Sequence, residues 1–452
     1  MSRRSCDRCY AIKAKCQPGR CNVSCRRCER LRHHCETVRS VGKAGRPRTT
    51  TTTTTTTTTR ERTTLPLLPQ PLPIQSLKLA HPSDKSILEF LFSTSHFIPH
   101  FVIGPSFARS MQHALQTRFF LSPETVLEGF VACAAEFAHR TGLHALTERN
   151  IARSAHAIRK LRSIAPTDLP QIATMLALGT SILTYDQLAA LEGASMICQY
   201  LLSQVKPWYP RLAQLPELDF ELNCLIHLDT VECLVRRELP VLRLEVRGGG
   251  VVDRYVGLVY SLLPVLYDVC VLGWEVKRRG APGLVADGML EECWERVRRD
   301  LLDWQPSPPE DFTSLYTGNE VVSMCTQANV YRQAGLLLLH RHRYPFGTED
   351  TTAMVYADAI FAEIETCRRI AGDVPFQIGL LPLLVAGFEV VDPVAREMGL
   401  IHRHFNAKSG IYAFPHRRAR QLLRLVWRER DIKENVSWFD LVSALPTFGY
   451  IP

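Results

Sequence analysis

Residues 6–35 read CDRCYAIKAKCQPGRCNVSCRRCERLRHHC, and this stretch holds seven of the 15 cysteines of the 452-residue chain. An interval pattern that occurs twice unchanged predicts two structurally equivalent halves that use their cysteines in the same way. Six of the seven cysteines follow such a pattern, with Cys6-x2-Cys9-x6-Cys16 in the first half and Cys25-x2-Cys28-x6-Cys35 in the second.

Each half offers three thiolates, one fewer than a tetrahedral zinc ion requires. Two cysteines separated by two residues lie on one turn, within reach of a single ion at Zn–S distances of about 2.3 Å. Two zinc ions that share two bridging thiolates would fill eight coordination places with six cysteines. The spacing therefore predicts two zinc ions per chain. A disulfide-linked head is the alternative, and it would need an oxidising compartment that nothing in the sequence indicates.

Other potential ligands lie in the same stretch. The x3 interval from Cys21 to Cys25 does not copy the x2 interval of the first half, so Cys25 is favoured as the ligand and Cys21 is a spare thiol. His33 and His34 could bind zinc, but the repeat already assigns Cys35. A solvated or phosphate-facing role is therefore favoured for the two histidines.

The first 48 residues are strongly basic, with fourteen Lys and Arg against three Asp and Glu. Their net charge is +11 in a chain of net charge +9, so the remaining 404 residues sum to −2. This asymmetry is typical of a protein that binds a polyanion, most often a nucleic acid. Two zinc ions on six thiolates would leave about +9 on this head, whose affinity for DNA should fall steeply with salt.

The cysteine spacing, with Lys13-Ala14-Lys15-Cys16 closing its first half, resembles the binuclear zinc cluster (Zn2Cys6) of fungal transcription factors. The resemblance implies a nuclear, sequence-specific transcription factor of RNA polymerase II genes that binds double-stranded DNA. It also implies how the two ions are shared: Cys6 and Cys25 bridge them, Cys9 and Cys16 complete one site, and Cys28 and Cys35 complete the other.

The resemblance further implies which basic side chains contact DNA. Lys13 matches the lysine that reads the guanines of a CGG-type triplet, which present O6 and N7 acceptors in the major groove. Lys15 and Arg8 match positions that contact phosphate, and Arg26 and Arg27 would add backbone contacts. For each of them the alternative is a solvated positive charge.

The sequence departs from the family pattern before the fourth ligand, where Ser24 replaces the usual proline. Tyr10 and Ile12 stand at positions where members of the family often have basic residues. The phosphate affinity and the exact sequence of the triplet therefore do not follow from the resemblance. Residues 45–48 (GRPR) resemble the core of a minor-groove AT-hook, and the alternative is a basic linker that helps nuclear import.

Three regions are predicted: a binuclear zinc cluster domain over 1–40, a disordered Thr/Pro-rich linker over 41–81, and an all-α domain over 82–452. The linker contains an unbroken threonine run, Thr49–Thr59, and then four prolines within eight residues, so it cannot offset its ordering entropy. No heptad repeat follows the cysteines. A monomer and a homodimer formed through the helical domain both remain open.

The last region is predicted to be mainly α, because apolar residues recur at helical spacing and no strand pattern appears. Ser122 is the expected N-cap of the first predicted helix, Pro123–His139. No membrane partner is expected, since the apolar stretch Tyr255–Trp274 is interrupted by Pro264 and Asp268. Helices are predicted at Pro123–His139, Ile151–Ile164, Leu169–Leu191, Leu222–Val235, Val252–Val276, Met289–Trp304, Glu320–His340, Met354–Ile370 and Arg417–Arg430.

The helical region loosely resembles the regulatory domain that follows this zinc cluster in many fungal regulators, through Asp229–Pro240, Trp427–Asp431 and Trp438. The implied role is effector response, autoinhibition or binding of transcriptional co-regulators. The basic segments His340–Arg343 and His416–Arg430 are interpreted as a polar helix end and an exposed helix face. A ligand or metal role for the first and an accessory nucleic-acid contact for the second are the alternatives.

No catalytic constellation is present, so an enzyme is not expected. The other functions left open are a DNA-occupying repressor or scaffold without activation function, and an enzyme with a zinc-cluster targeting module. The compact length resembles regulators of secondary-metabolite gene clusters. Target genes, the effector and activation against repression do not follow from the sequence.

Overall fold

The computed structural model describes part of the chain in two units, Met1–Glu61 and Arg62–Pro452. The predicted linker, 41–81, lies outside the described residues, so its disorder and its boundaries stay predictions. The described residues are Cys9, Cys16, 25–31, 82–143, 148–248, 250–279, 288–371, 380–407, 410–433 and 436–443.

The described residues of the second unit form helices and contain no strand, so the predicted mainly α fold is confirmed. Among the described residues of the first unit, Arg26–Arg30 forms a short helix, α1. The helices are α1 (Arg26–Arg30), α2 (Pro82–Leu91), α3 (Ala108–Leu121), α4 (Pro123–Arg140), α5 (Glu148–Ser163), α6 (Leu169–Leu188), α7 (Ala194–Val205), α8 (Tyr209–Leu212), α9 (Asp219–Arg236), α10 (Leu263–Arg279), α11 (Gly288–Asp303), α12 (Phe312–Leu315), α13 (Gly318–Arg343), α14 (Asp350–Ala371), α15 (Leu380–Glu389), a π-helix (Ala395–Ile401) that continues into α16 (His402–His404), α17 (Ala413–Ile432) and α18 (Trp438–Ser443).

The helices of the second unit pack around a large hydrophobic core that includes residues from Leu88 to Val442, and a smaller second cluster contains Ile103, Leu258, Phe312, Met324 and Ala328. In the N-terminal part, α4 packs against α2, α5 and α6, and α6 also packs against α7. In the C-terminal part, α13 packs against α14 and α15, and α15 contacts α17. Helices α9 and α10 connect the two parts, because α9 contacts α6 and α7 while α10 contacts α13.

Helix boundaries follow local capping chemistry where the structure departs from the prediction. Helix α13 begins two residues earlier than predicted because Thr317 caps it: its hydroxyl accepts from Glu320 N–H, and the Glu320 carboxylate accepts from Thr317 N–H. Ser122 does precede α4, but its side chain donates to the Thr125 hydroxyl and caps no backbone group. No helix was predicted at α2, α3, α7 or α15, nor at the short helices α8, α12, α16 and α18.

The predicted helix Val252–Val276 begins later than expected. The Asp253 carboxylate accepts from the backbone N–H groups of Tyr255 and Val256, at 2.7 and 2.9 Å. Gly257 follows with a φ of +59°, a left-handed conformation that glycine adopts without strain. The chain is therefore held in a turn until Leu258, where a 3-10 segment leads into α10.

The expectation about membrane spans was wrong in one respect. Leu258–Arg279 is one helical segment that is long and apolar enough to cross a membrane by length and composition alone. Pro264 fits in the first turn of α10, where its missing N–H costs no hydrogen bond, and Asp268 pairs with Arg243 at 3.0 Å. More than half of the segment is buried inside the protein, as is common for a core helix.

Candidate metal centre and the basic helices

Three cysteine sulfurs lie together in the first unit. The Sγ atoms of Cys9, Cys25 and Cys28 lie within 4.8 Å of one another, and all three residues are at most 5% exposed. Cys9 Sγ is 3.7 Å from Cys25 Sγ, and the backbone N–H of Cys28 donates to Cys25 Sγ over 3.4 Å. Cys16 packs against this cluster and is partly buried. The cluster therefore joins cysteines from both halves of the repeat.

The geometry of the three sulfurs fits a zinc ion. Two thiolates at about 2.3 Å from one tetrahedral ion lie about 3.8 Å apart, close to the observed separation of Cys9 and Cys25. Cys25 Sγ lies within 4.8 Å of the sulfur of Cys9, from the first half of the repeat, and of the sulfur of Cys28, from its own half. Buried thiolates also require a compensating positive charge, which a divalent ion would supply.

The other predicted site residues of the head lie outside the described residues, so their roles stay predictions. This applies to two of the six predicted ligands and to the spare thiol, and it applies equally to the residues expected to read bases or contact phosphate in the first half. They are Cys6, Cys35, Cys21, Lys13, Lys15 and Arg8.

Helix α1 places its arginines and its cysteine in different environments. Arg26, Arg27 and Arg30 are exposed, whereas Cys28 is 1% exposed. The helix therefore directs one thiol into the sulfur cluster while its arginines remain accessible to solvent. Accessible guanidinium groups suit contacts with phosphate oxygens.

The segment His340–Arg343 belongs to the core of the second unit. The guanidinium of Arg341 donates from Nε and from a terminal nitrogen to the Glu389 carboxylate, at 2.9 and 2.6 Å, and both side chains are 2% exposed. Burial lowers the pKa of His342 to about 3, with a smaller contribution from Arg237, and the ring stacks on Phe439 at 4.5 Å. The segment does end α13, as predicted, but three of its four side chains, those of His340, Arg341 and His342, are buried inside the domain.

The arginines of α17 also contact acidic or backbone groups of the domain. Arg424 forms two bonds to the Glu397 carboxylate at 3.0 and 2.8 Å. Arg418 lies 2.5 Å from Glu192, and Arg430 donates to the backbone oxygens of Phe388 and Glu389. Arg418, Arg424 and Arg430 are therefore less available to phosphates than an unpaired arginine would be.

The motif Asp229–Pro240 builds the junction after α9. Asp229 is 1% exposed and accepts from Val241 N–H at 2.6 Å, and burial raises the pKa of its carboxyl to about 6. Arg237 ends the helix in a left-handed conformation (φ +53°) and pairs with Asp440 of α18. The motif therefore connects α9 to the C-terminal helix.

The motif Trp427–Asp431 holds the other side of that junction. Trp427 Nε1 donates to Gly387 O over 2.8 Å, and Asp431 accepts two bonds from Arg396 at 2.6 and 2.9 Å. Trp438 of α18 packs on Phe388 with ring centroids 4.7 Å apart. Both motifs are thus architectural elements that meet at α15 and α18.

Sequence reasoning found no binding site in the second unit, yet the structure brings four of its polar side chains to one apolar cavity. They are Arg118, Glu221, His227 and Tyr331. The members of each contacting pair lie more than 100 residues apart, so no local spacing could have indicated them.

Residues 198–446 match the model of one protein family, described as the fungal specific transcription factor domain. The match covers more than half of the chain and includes both motifs that pack around α15 and α18. The head lies outside the matched range. No curated protein and no solved structure matches the chain.

Proposed function

The chain belongs to the family of the fungal specific transcription factor domain, and on that premise we propose that it is a zinc-dependent, sequence-specific DNA-binding regulator of RNA polymerase II genes. Family membership makes the chain a transcription regulator and points away from an enzyme. The proposal goes further in naming a metal, a preferred DNA sequence and target genes. These three parts of it rest on the cysteine-rich head.

The observation that carries the proposal is the meeting of Cys9, Cys25 and Cys28 at distances that suit shared metal ligands. In the described part of the chain these three residues form the only group of three or more potential ligand side chains. Together with Cys6, Cys16 and Cys35 they would hold two zinc ions, which supply folding free energy to a small module when bound.

The DNA contacts divide by function. We assign Lys13 to the guanines of a CGG-type triplet in the major groove, because an ammonium group suits the O6 and N7 acceptors of guanine. The exposed Arg26 and Arg27, with Lys15 and Arg8, would contact phosphates and fix the register of the module without reading sequence. Such a protein acts in the nucleus, and its length favours the control of a secondary-metabolite gene cluster.

The test measures zinc content and DNA preference on the full chain. We expect two zinc ions per chain and, after selection from randomised DNA, a consensus that contains CGG. Lys13→Ala should abolish the preference for CGG over a scrambled triplet. Lys206→Ala, which removes an exposed lysine of the helical domain, should leave that preference unchanged. One zinc ion per chain, or binding indifferent to sequence, would overturn the proposal.

A further inference from the structure

A cavity of about 190 Å³ lies inside the helical domain, between α3, α4, α6, α9 and α13. Most of its wall is apolar, with aromatic and aliphatic side chains such as Phe97, Met111, Phe130, Leu188 and Phe220. An engineered cavity of about 150 Å³ with a similar lining binds benzene. The space is therefore large enough for a compound with one ring and a short substituent.

One carboxylate in the wall has an unused hydrogen-bond acceptor. Arg118 and Glu221 form a buried pair, each with 4% of its side chain exposed, and Arg118 Nε donates to Glu221 Oε1 over 2.7 Å. Arg118 also donates to Glu217 O. Glu221 Oε2 is fully buried and has no hydrogen-bond partner among the described residues. An uncompensated buried carboxylate oxygen is costly, so a donor supplied by a ligand would stabilise it.

A second polar group faces the same cavity. His227 is 5% exposed, and its Nε2 lies 3.2 Å from the Tyr331 hydroxyl. Its Nδ1 is buried and has no partner among the residues that the structure describes. Burial lowers the pKa of His227 to about 4, so the ring is neutral near pH 7 and one nitrogen donates while the other accepts.

The charges around the cavity indicate a neutral ligand. The charged side chains of the wall are already paired, Arg118 with Glu221 and Glu192 with Arg418. An ionised ligand would lose its hydration without gaining an opposite charge. A neutral molecule with an apolar body and one polar group meets both the apolar wall and the two orphaned polar atoms.

We propose that this cavity binds a small neutral ring compound that carries a hydroxyl group, which donates to Glu221 Oε2 while the rest of the molecule packs on the apolar wall. The neutral imidazole of His227, held by Tyr331, is a further polar group in the wall of the same cavity. The site lies wholly in the helical domain and requires neither the zinc head nor DNA.

The proposal is tested by titration calorimetry on the zinc-loaded full chain with two probes of similar size, 4-propylphenol and phenyl propyl ketone. The phenol donates a hydrogen bond and the ketone only accepts one. We expect saturable one-site binding of the phenol, at least about 10-fold tighter than that of the ketone, because a hydrogen bond to a charged group contributes about 1.5–3 kcal/mol. Absence of saturable phenol binding would overturn the proposal.

Glu221→Gln tests the role of the carboxylate. With the amide oxygen still facing Arg118, the amide nitrogen would turn a donor toward the cavity, so the preference for the phenol should fall at least about 10-fold. Glu232→Gln is the matched control, since Glu232 lies on the same helix, is 4% exposed and pairs with Arg236 at 2.5 Å outside the cavity. An unchanged preference in Glu221→Gln would contradict the assignment.

A second variant covers the case in which Glu221→Gln does not fold. Thr184 lines the cavity from α6 and is half-buried, and its hydroxyl donates only to Thr180 O of its own helix. Thr184→Leu should fill part of the space, abolish phenol binding and leave the melting temperature near that of the wild type. Retained phenol affinity in this variant would overturn the location of the site.

Discussion

The cysteine head and the helical domain differ in how far apart along the sequence their contacting residues lie. In the head, Cys25 and Cys28 lie one turn apart on the chain and reach the same sulfur cluster. In the domain, the polar groups that contact one another come from distant segments, as in Arg118 with Glu221 and His227 with Tyr331. Local spacing therefore exposes a metal site, whereas only the packing of whole helices creates a cavity or a buried ion pair.

Arginine shows the same contrast. Arg26 and Arg27 on α1 are exposed, and neither forms an ion pair with another described residue. In the domain, Arg341 is buried and donates to Glu389, Asp350 and three backbone oxygens. A cation that already satisfies its donors inside the protein has none left for phosphate. The arginines of α1 are therefore available for a contact with phosphate, whereas Arg341 supports the structure of the domain.

The largest expected effect separates the two regions through zinc. We predict that Cys25→Ser lowers the zinc content of the full chain and abolishes DNA binding, because structural zinc supplies about 10–16 kcal/mol of folding free energy. The helical circular dichroism signal and the melting temperature of the domain should stay unchanged. Metal analysis, DNA binding and thermal melting measure the three quantities.

Cys293→Ser is the control for this prediction, since Cys293 is a half-buried thiol on α11. This variant should keep the zinc content and DNA binding of the wild type. Loss of the helical melting transition in Cys25→Ser would show that the helical domain depends on the cysteine head for its stability. That result would contradict the prediction.

The second effect tests whether buried ion pairs support the domain. We predict that Glu389→Ala lowers the free energy of unfolding by about 3–5 kcal/mol, because it leaves the buried Arg341 guanidinium without its main counter-charge. Glu397→Ala removes an equally well-aligned but exposed pair with Arg424 and should cost at most about 1 kcal/mol. Urea unfolding measures both, and equal losses would contradict the role assigned to burial.

The sequence predicted the helical class and most long helices because apolar periodicity survives in α4, α5, α9 and α14. It missed α15, whose ten residues are all buried and so leave no exposed polar face to set a period. It also placed the start of α10 too early, because Asp253 and Gly257 hold a turn that apolar residues alone do not indicate.

For the candidate sites too, the sequence indicates residues at regular spacing but not residues that only helix packing brings together. The repeat in residues 6–35 predicted one metal cluster built from both halves, and the structure places the sulfurs of Cys9, Cys25 and Cys28, which come from both halves, within 4.8 Å of one another. Nothing near Glu221 in the sequence indicates Arg118, which lies on a helix that the periodicity analysis did not find. The cavity could not be predicted without the packing of α3 against α6.

The third effect concerns acid stability. Because the folded pKa of His342, about 3, lies below its usual value of 6.5, the unfolded chain binds the proton first as the pH falls. This residue therefore removes about 2 kcal/mol of stability between pH 7 and pH 5. We predict that His342→Phe reduces the pH dependence of the unfolding free energy by that amount, measured by urea unfolding at both pH values. His113→Phe, at an exposed position, should leave the dependence unchanged, and a steeper dependence in His342→Phe would contradict the prediction.

The smallest expected effect returns to the head. If Arg27 contacts one phosphate, Arg27→Ala should weaken binding to every DNA sequence alike and reduce the slope of log K against log salt by about 0.9. Arg428→Ala removes an arginine of the helical domain whose side chain is 66% exposed, and it should leave the slope unchanged. Affinity measured across a salt series separates the two. Exposure alone is common to both arginines, so a reduced slope only in Arg27→Ala would mean that DNA contact depends on the region and not on accessibility. Equal slopes in the two variants would remove that distinction.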